Sequence, residues 1–239
     1  MQQVFLSDTE LYFWENVNGN TIEISGEEFH HIKDVMRHKE GDEIFITNGK
    51  GVIYKTKINL IEKKLLSADI AASILYANEL SNVTFCIPRL KSADRFEFAL
   101  EKCVELGITN FIVFDSNRTV AKGEKLYRWE KILISAMKQS LRAWLPKVSY
   151  CKSINEIIAL EGKKYFLYQN AESTLSNLFS NQSLLNSSLF FVFGPEGGFS
   201  NEESIVMSEE NKVKLTENRL RSETAIVAAA SVLASNLAR

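Results

Sequence analysis

The stretch Val192–Glu203, VFGPEGGFSNEE, decides how the second half of the chain is built. Residues 188–193, which are apolar except for Ser188, lead into it and predict a buried strand. Ser200 and Glu203 have the spacing of a capping box, which predicts the start of a helix. The glycines of this stretch therefore lie at a strand-to-helix turn, which is where α/β proteins bind their ligands.

The order of strand, loop and helix recurs along residues 73–239. Val83–Ile87 and Ile108–Phe114 are apolar runs that predict strands, and so are residues 165–168. Between the first two runs, apolar residues at helical spacing predict an amphipathic helix that Gly107 ends. They are Phe96, Ala99, Leu100, Cys103 and Val104. Alternation of this kind is typical of a mainly parallel sheet covered by helices.

Residues 1–72 have a different pattern, with alternating side chains and turn signals, which predicts a small β-barrel or sheet. Asn48-Gly49 is typical of a β-hairpin turn. The residues after it alternate as in a β-strand, with every second residue in one set. One set is Val52, Tyr54, Thr56, Ile58 and Leu60, and the other is Ile53, Lys55, Lys57 and Asn59. Ser25 and Glu28 have capping-box spacing and predict one helix. Its apolar face is expected to contain Phe29, Ile32, Val35 and Met36.

Composition and charge limit the class of protein. The chain has 239 residues, of which 45% are hydrophobic, so folded domains are expected rather than disorder. Its three cysteines, Cys86, Cys103 and Cys151, lack CxxC spacing and predict free thiols in a reducing compartment. The start of the chain does not resemble a signal peptide, and residues 224–238 are too interrupted to span a bilayer. We therefore expect a soluble, cytoplasmic protein without membrane contact.

Basic residues are concentrated in the middle of the chain. The formal net charge is −2, yet residues 89–152 contain 13 Lys and Arg against 7 Asp and Glu. Such a segment is suited to contacts with phosphates, although solvated helix faces would give the same count. Several of these cations follow the predicted strands, at the sheet edge where binding crevices form. They are Arg89, Lys91 and Arg95 after one strand, Arg118 after the next, and Arg142 further on.

The glycine turn offers main-chain groups to a ligand because Gly194, Gly197 and Gly198 lack side chains. Glu196 and the acids after it disfavour a polyphosphate, and the stretch is neither GxGxxG nor a P-loop. A purely structural turn is the alternative.

A second polar cluster, Leu215–Ala225, also lies between a short predicted strand and a predicted helix of small residues. Arg221 and Glu223 within it form either a ligand site or a simple ion pair. The three histidines, His30, His31 and His38, lack the acid or cysteine partners of a metal site, so no metal is expected.

These motifs together resemble one family. They are GPEGGFS at residues 194–200, LTENRLRSETA at 215–225, EKCVELGI at 101–108, SNRTV at 116–120 and QSLRAWLPKV at 139–148. In this order they resemble the bacterial ribosomal RNA uridine-N3 methyltransferases of the SPOUT class. Residues 30–51 are similar to the PUA-like RNA-binding domain of that family. The resemblance extends over nearly the whole chain.

The resemblance implies a fold and an activity. The implied fold is α/β, with a PUA-like β-barrel at residues 1–72 and a SPOUT domain at 73–239 that has a parallel sheet and a trefoil knot. The implied activity is transfer of a methyl group from S-adenosyl-L-methionine to N3 of a uridine in 16S ribosomal RNA. The RNA is expected within the small ribosomal subunit, and the enzyme is expected to be a homodimer.

The resemblance also implies roles for individual residues. The cofactor site is expected to contain Phe193, Gly194, Glu196, Gly197, Gly198, Leu215, Asn218, Leu220, Arg221, Glu223 and Thr224. Candidate RNA contacts are Arg37, Arg89, Lys91, Arg95, Arg118 and Arg142. Arg221 and Arg118 are the catalytic candidates, because an arginine near uracil O2 or O4 would stabilise the charge that develops there. Thr216 and Arg219 stand where the family commonly has glycine and isoleucine.

Two other functions are compatible with parts of this pattern. A non-catalytic RNA-binding factor for ribosome assembly would need the N-terminal domain and the basic segment but no cofactor. A nucleotide-dependent oxidoreductase would share the α/β sheet, yet its GxGxxG after the first strand is missing from the sequence.

Overall fold

The computed structural model describes residues 9–178 and 187–237. The chain divides into two compact units. The first contains the described residues up to Asn78 together with Met137–Leu145, and the second contains Glu79–Ala136 and the described residues from Pro146 onward. The predicted domains, 1–72 and 73–239, assign residues 137–145 to the second domain, whereas in the structure these residues belong to the first unit. Within the described ranges, no helix is long and apolar enough to cross a bilayer.

The first unit is built on a five-stranded sheet with strand order β1-β3-β4-β5-β2. Its elements are β1 (Leu11–Phe13), β2 (Thr21–Ser25), helix α1 (Gly26–His30), β3 (Glu43–Thr47), β4 (Val52–Ile61) and β5 (Leu65–Leu75). β1 pairs in parallel with β3, and the other neighbours are antiparallel. Buried isoleucines and aromatic residues fill the core between the sheet and α1. The predicted β-rich N-terminal domain is confirmed.

Strand β4 does not keep one alternation along its length. The pairing with β5 shifts between Ile58 and Leu60, where β4 has one extra residue, as at a β-bulge, so the inward face of β4 changes sides there. Tyr54 and Ile58 pack against the main core before the shift, whereas after it Leu60 is 43% exposed and Ile61 packs against that core. The prediction that the even-numbered residues of this run share one face is therefore confirmed from Tyr54 to Ile58 and is wrong at Leu60.

The capping box predicted at the start of α1 is also wrong. Ser25 makes no side-chain cap hydrogen bond. Glu28 is used elsewhere, because its Oε1 accepts the Phe13 N–H at 2.7 Å and its Oε2 pairs with Lys138 Nζ at 2.8 Å. Glu28 thus joins β1 to the segment 137–145 within the first unit.

Helix α1 continues as a π-helical turn, His31–Val35, in which the Met36 N–H donates to the His31 carbonyl at 3.0 Å. This wider turn rotates the side chains that follow it. Val35 is 64% exposed and Met36 36% exposed, whereas Phe29 and Ile32 are buried as predicted. The expectation that Val35 and Met36 belong to the apolar face is therefore wrong.

The predicted hairpin at Asn48-Gly49 is confirmed between β3 and β4. Asn48 Oδ1 accepts the N–H groups of Lys50 at 2.8 Å and Val52 at 3.3 Å. Gly51 has a φ of 90°, and a Cβ atom built on it would lie 2.4 Å from the Trp144 ring. The glycine is therefore required both by its backbone conformation and by the close approach of Trp144.

The second unit is a seven-stranded, fully parallel sheet with strand order β10-β12-β9-β11-β6-β7-β8. Its strands are β6 (Val83–Pro88), β7 (Asn110–Phe114), β8 (Lys147–Cys151), β9 (Lys163–Leu167), β10 (Ser173–Thr174), β11 (Leu189–Val192) and β12 (Lys212–Lys214). Its helices are α2 (Ala93–Glu105), α3 (Leu126–Gln139, whose last three residues belong to the first unit), α4 (Ile154–Ile158), α5 (Leu175–Leu178), α6 (Asn201–Ile205) and α7 (Ser222–Leu237). The predicted parallel α/β fold is confirmed.

The core of the second unit contains the predicted helical stripe of α2, whose five residues are all buried. Rings from neighbouring strands pack together, as in the contact between Phe85 and Phe193, whose centroids lie 5.0 Å apart. Cys86 and Cys103 are fully buried free thiols, and burial raises the pKa of both. Cys151 is also free and is half-buried, and burial raises its pKa as well.

Candidate functional site

A cavity of about 680 Å³ opens in the second unit at the carboxyl ends of β9, β11 and β12. The loops that follow these strands line it, which is the arrangement expected for a binding crevice in a parallel sheet. Its volume is that of an ordinary small-molecule site. The glycine turn after β11 and the polar cluster after β12, both singled out from the sequence, form most of its wall.

The glycine turn is held in place by main-chain bonds. The Phe193 N–H donates to the Cys86 carbonyl at 3.0 Å, which extends the pairing of β11 with β6. The Gly198 N–H donates to the Pro195 carbonyl at 2.8 Å, and Gly198 has a φ of 68°. A Cβ atom on Gly194 would lie 3.2 Å from the Phe199 ring. Larger side chains at 194 and 198 would therefore disturb the turn.

Helix α6 begins with the predicted capping box. Ser200 Oγ accepts the Glu203 N–H at 3.2 Å, and Glu203 Oε2 accepts the Ser200 N–H at 2.7 Å. Both halves of the motif are present, so this prediction is confirmed.

Glu203 also connects the turn to the loop after β7. It is only 4% exposed, and its Oε1 accepts the Ser116 hydroxyl at 2.8 Å and the Asn117 N–H at 2.9 Å. Arg118, the next residue, donates from a guanidinium nitrogen to the Gly197 carbonyl at 3.0 Å. Two motifs far apart in sequence, SNRTV and GPEGGFS, are thereby brought together.

The far end of that loop is fixed by a second carboxylate. Asp115 accepts the Tyr150 hydroxyl at 2.6 Å and the Gly123 N–H at 3.1 Å. The hydrogen bond to Asp115, with partial burial, raises the pKa of Tyr150 to about 12. The loop that contains Arg118 is thus anchored at both of its ends.

The loop after β12 forms a compact turn that is held by hydrogen bonds from its own side chains. Thr216 Oγ1 donates to the Asn218 carbonyl at 2.8 Å and accepts the Asn218 N–H at 3.2 Å. The Gln169 side-chain amide, in the loop after β9, donates to the Glu217 carbonyl at 3.1 Å. Lys214 Nζ lies 2.8 Å from Glu217 Oε1. These contacts fix the segment that precedes Arg219.

The start of α7 is tied to the glycine turn, since the Ser222 hydroxyl donates to the Gly194 carbonyl at 3.1 Å. Glu223 lies 3.6 Å from the guanidinium of Arg95. The ion pair between Arg221 and Glu223 that the sequence left open is therefore replaced by one between Arg95 and Glu223.

The cavity brings together most of the predicted site residues. Its lining includes Phe193, Gly194, Glu196, Gly198, Leu215, Leu220, Arg221 and Glu223, with Arg95 and Arg118 among the predicted RNA contacts. Gly197, Asn218 and Thr224 belong to the same loops and helix but not to that lining. Leu167, Tyr168, Gln169 and Asn170 also line the cavity. Sequence reasoning missed this third wall because it contains no glycine and no recognised motif.

Arg89 does not fit its predicted role as an RNA contact. It is only 8% exposed, and its guanidinium donates to the Gly123 carbonyl and lies 5.3 Å from the Trp129 ring centroid. Its burial makes it a support for the loop that contains Arg118. Lys91 is exposed, and its N–H donates to Glu196 at 2.9 Å. Arg37 and Arg142 are both exposed in the first unit.

Two of the three histidines pair with neighbouring side chains. His30 Nδ1 lies 2.8 Å from Asp34, and His38 Nε2 lies 3.0 Å from the Tyr12 hydroxyl. Among residues 9–178 and 187–237, no group of three or more histidine, cysteine or acidic side chains could hold a metal ion.

Comparison with known proteins adds independent evidence. A family model described as an RNA methyltransferase domain matches residues 77–234, and one described as an RNA methyltransferase PUA domain matches residues 24–71. The ribosomal RNA small subunit methyltransferase E of Bacillus subtilis is 31% identical and covers 98% of this chain and 96% of its own length. The protein of that name from Rickettsia conorii is 29% identical and covers 84% of this chain and 83% of its own length.

A solved structure agrees with both units. It is the ribosomal RNA small subunit methyltransferase E of Neisseria gonorrhoeae bound to S-adenosyl methionine. It matches with a TM-score of 0.83 at 26% identity, over 95% of this chain and 97% of that one. With its PUA domain, its parallel sheet and its cavity of loops, the chain belongs to the ribosomal RNA small subunit methyltransferase E family.

Proposed function

We propose that this protein transfers the methyl group of S-adenosyl-L-methionine to N3 of a uridine in 16S ribosomal RNA. The observation that supports this most directly is the cavity at the ends of β9, β11 and β12, whose wall joins the glycine turn to the start of α7 through Ser222 and Gly194. The proposal extends the family's activity to a specific atom and RNA.

The residues of the cavity fit this donor. Adenine and a methionine tail are uncharged or zwitterionic groups without phosphates, so they need main-chain donors and acceptors more than a lysine. The turn around Gly194 and Gly198 supplies such groups without the obstruction of side chains. Glu196 and Glu223, which also line the cavity, favour a positively charged sulfonium over a polyphosphate.

The donor, when bound, supplies an electrophilic methyl carbon on a positively charged sulfur. The new N–C bond forms as the C–S bond breaks, and the electron pair of that bond remains on sulfur. Uracil N3 must also release its proton to the surrounding water, which leaves negative charge on N3, O2 and O4 until the methyl group arrives. Arg221 and Arg118 line the cavity, and either guanidinium is suited to stabilise that charge.

Transfer requires that N3 and the methyl carbon be aligned at about 3 to 3.5 Å before reaction. The anchored loops supply this rigidity, because Glu203 fixes the Arg118 loop and Ser222 fixes the start of α7. The base is expected to be unstacked or drawn from an open RNA segment to reach the cavity.

The proposal includes the partners and the assembly. Arg37 and Arg142 on the first unit are expected to contact RNA phosphates, with Lys91, Arg95 and Arg118 on the second. We expect the small ribosomal subunit to be the cytoplasmic substrate and the enzyme to act as a homodimer. Exposed apolar residues of the second unit, among them Val120 and Ile205, are the kind that a subunit interface covers. Light scattering in solution tests the dimer.

The function is tested by mass spectrometry of ribosomal RNA from a strain that lacks the gene. Loss of one N3-methyluridine from 16S RNA, restored by the wild-type gene but not by Arg221→Ala, is the expected result. Retention of every methylated uridine in the deletion strain would refute the proposal.

A further inference from the structure

The wall of the cavity has more positive charge than its own acids can balance. Arg95, Arg118, Lys214, Arg219 and Arg221 line it, against the carboxylates of Glu196 and Glu223. The proposed donor adds a positively charged sulfonium to this set. The excess therefore predicts that a second, anionic ligand occupies part of the site.

The cationic side chains differ in what they already contact. Arg95 pairs with Glu223, Lys214 pairs with Glu217, and Arg118 donates to the Gly197 carbonyl. Among the residues that the structure describes, neither Arg219 nor Arg221 has a side-chain hydrogen bond or ion pair to another residue, and both are exposed. Arg221 precedes the anchored Ser222 and is the candidate for the charge on uracil.

Arg219 lies on a segment that is built to hold one conformation. Thr216 closes a turn on both main-chain groups of Asn218, and Gln169 bonds the carbonyls of Thr216 and Glu217. Little conformational entropy of the main chain remains to be lost when this segment meets a ligand. An exposed guanidinium on a pre-formed turn suits a fork-like contact with phosphate oxygens.

We propose that Arg219 is an RNA-binding residue that contacts a backbone phosphate beside the target nucleotide. This inference rests on the proposed function, since it takes the anionic ligand to be the RNA substrate. A phosphate is favoured over the donor's carboxylate because the Arg219 side chain is exposed to solvent, where an RNA backbone can reach it, and the neighbouring Glu217 is already paired with Lys214. It also adds a contact to the predicted RNA set.

The salt dependence of RNA binding tests the proposal, with small ribosomal subunits from a strain that lacks the gene as the probe. Each phosphate contact that is lost reduces the slope of log K against log salt by about 0.7 for single-stranded RNA. Arg219→Gln should show that reduction between about 50 and 200 mM salt, with RNA binding roughly fivefold weaker at the lower end. The dissociation constant for S-adenosylmethionine, measured by calorimetry, should change by less than about twofold.

Two further variants make the result specific. Arg219→Lys keeps the charge and should retain the wild-type slope. Arg128→Gln removes an exposed arginine of α3 that pairs with Glu97 and lies outside the cavity lining, so it should also retain that slope.

Three outcomes decide against the proposal. An unchanged slope for Arg219→Gln, with wild-type RNA binding intact, overturns this inference alone. Weakened donor binding with an unchanged slope also overturns it and assigns Arg219 to the donor's carboxylate. If the wild-type protein shows no salt-dependent binding of these subunits, the proposed substrate is wrong and the inference is wrong with it.

Discussion

The carboxylate of Glu203 accepts the hydroxyl of Ser116 at 2.8 Å and so joins two loops of the sheet. The loops follow β11 and β7, which are separated by β6. The same carboxylate accepts the N–H groups of Asn117 and Ser200. The position of Arg118 relative to the glycine turn therefore depends strongly on one buried acid.

Replacing Glu203 with alanine should destabilise the protein and slow methyl transfer. Three donors would lose their acceptor, and a buried donor left unpaired costs about 1 to 3 kcal/mol. Urea unfolding should show a loss in that range, together with a lower kcat. The matched control is Glu202→Gln, an exposed neighbour that should change stability by less than about 0.5 kcal/mol. Equal stability of the two variants would contradict this account.

Ser222→Ala should weaken donor binding with little effect on folding. The substitution removes the hydrogen bond to the Gly194 carbonyl that joins the start of α7 to the glycine turn. A bond of this kind contributes about 1 kcal/mol, which corresponds to roughly fivefold in the dissociation constant for S-adenosylmethionine. Ser231→Ala, an exposed change in the same helix, is the control. Calorimetry that finds equal affinities for both variants would exclude the role given to Ser222.

Arg221→Ala and Arg118→Ala test the stabilisation of charge on the uracil. Loss of one group that stabilises a developing anion typically lowers kcat by about 10²-fold. Arg221→Ala should show this loss in single-turnover assays, Arg118→Ala tests whether the second guanidinium contributes, and Arg128→Gln should react at the wild-type rate. Arg118→Ala should also loosen the glycine turn, because its guanidinium bonds the Gly197 carbonyl. Wild-type rates in both variants would remove both residues from the chemistry.

Gly51→Ala should destabilise the first unit more than Gly26→Ala. Both glycines have positive φ, which alone costs an alanine roughly 1 kcal/mol. At Gly51 the new Cβ would also lie 2.4 Å from the Trp144 ring, whereas at Gly26 nothing lies within 4 Å. Thermal unfolding should therefore give a clearly lower midpoint for Gly51→Ala. Equal midpoints would show that Trp144 moves aside freely.

Tyr150 should make stability depend on alkaline pH. Its folded pKa of about 12 exceeds the ordinary value of 10.0, so the unfolded chain releases the proton first. The stabilisation is complete below pH 10.0 and is lost as the pH rises towards 12. Tyr150→Phe has no such proton and should lose less stability than the wild type over this range in urea titrations. Tyr127→Phe, an exposed tyrosine, should follow the wild-type curve.

Local patterns predicted much of the second unit because its elements are fixed by neighbours in sequence. The capping box at Ser200 and Glu203, the buried stripe of α2 and the parallel strands are all present. Each depends on periodicity or on contacts within a few residues. The knot implied by the family resemblance stays a prediction, as do the roles of the site residues.

The wrong predictions share a non-local cause. Glu28 is not a capping residue and instead accepts the Phe13 N–H and pairs with Lys138, both distant in sequence. Arg89 is buried because Trp129 of α3 and the carbonyl of Gly123 enclose it. The bulge in β4 depends on its pairing with β5, and no residue of β4 predicts it. The part of the cavity wall formed by residues 167–170 lies at the end of β9, and only the order of the strands in the sheet places it at the cavity.

The low reactivity of the three cysteine thiols simplifies chemical labelling of this enzyme. Cys86 and Cys103 are shielded, and all three thiols have raised pKa values, so little thiolate is available at neutral pH. A cysteine introduced at an exposed site such as Tyr127 should react with a maleimide dye well before the natural ones. Fluorescence reporters of RNA docking can then be attached to an otherwise unaltered chain.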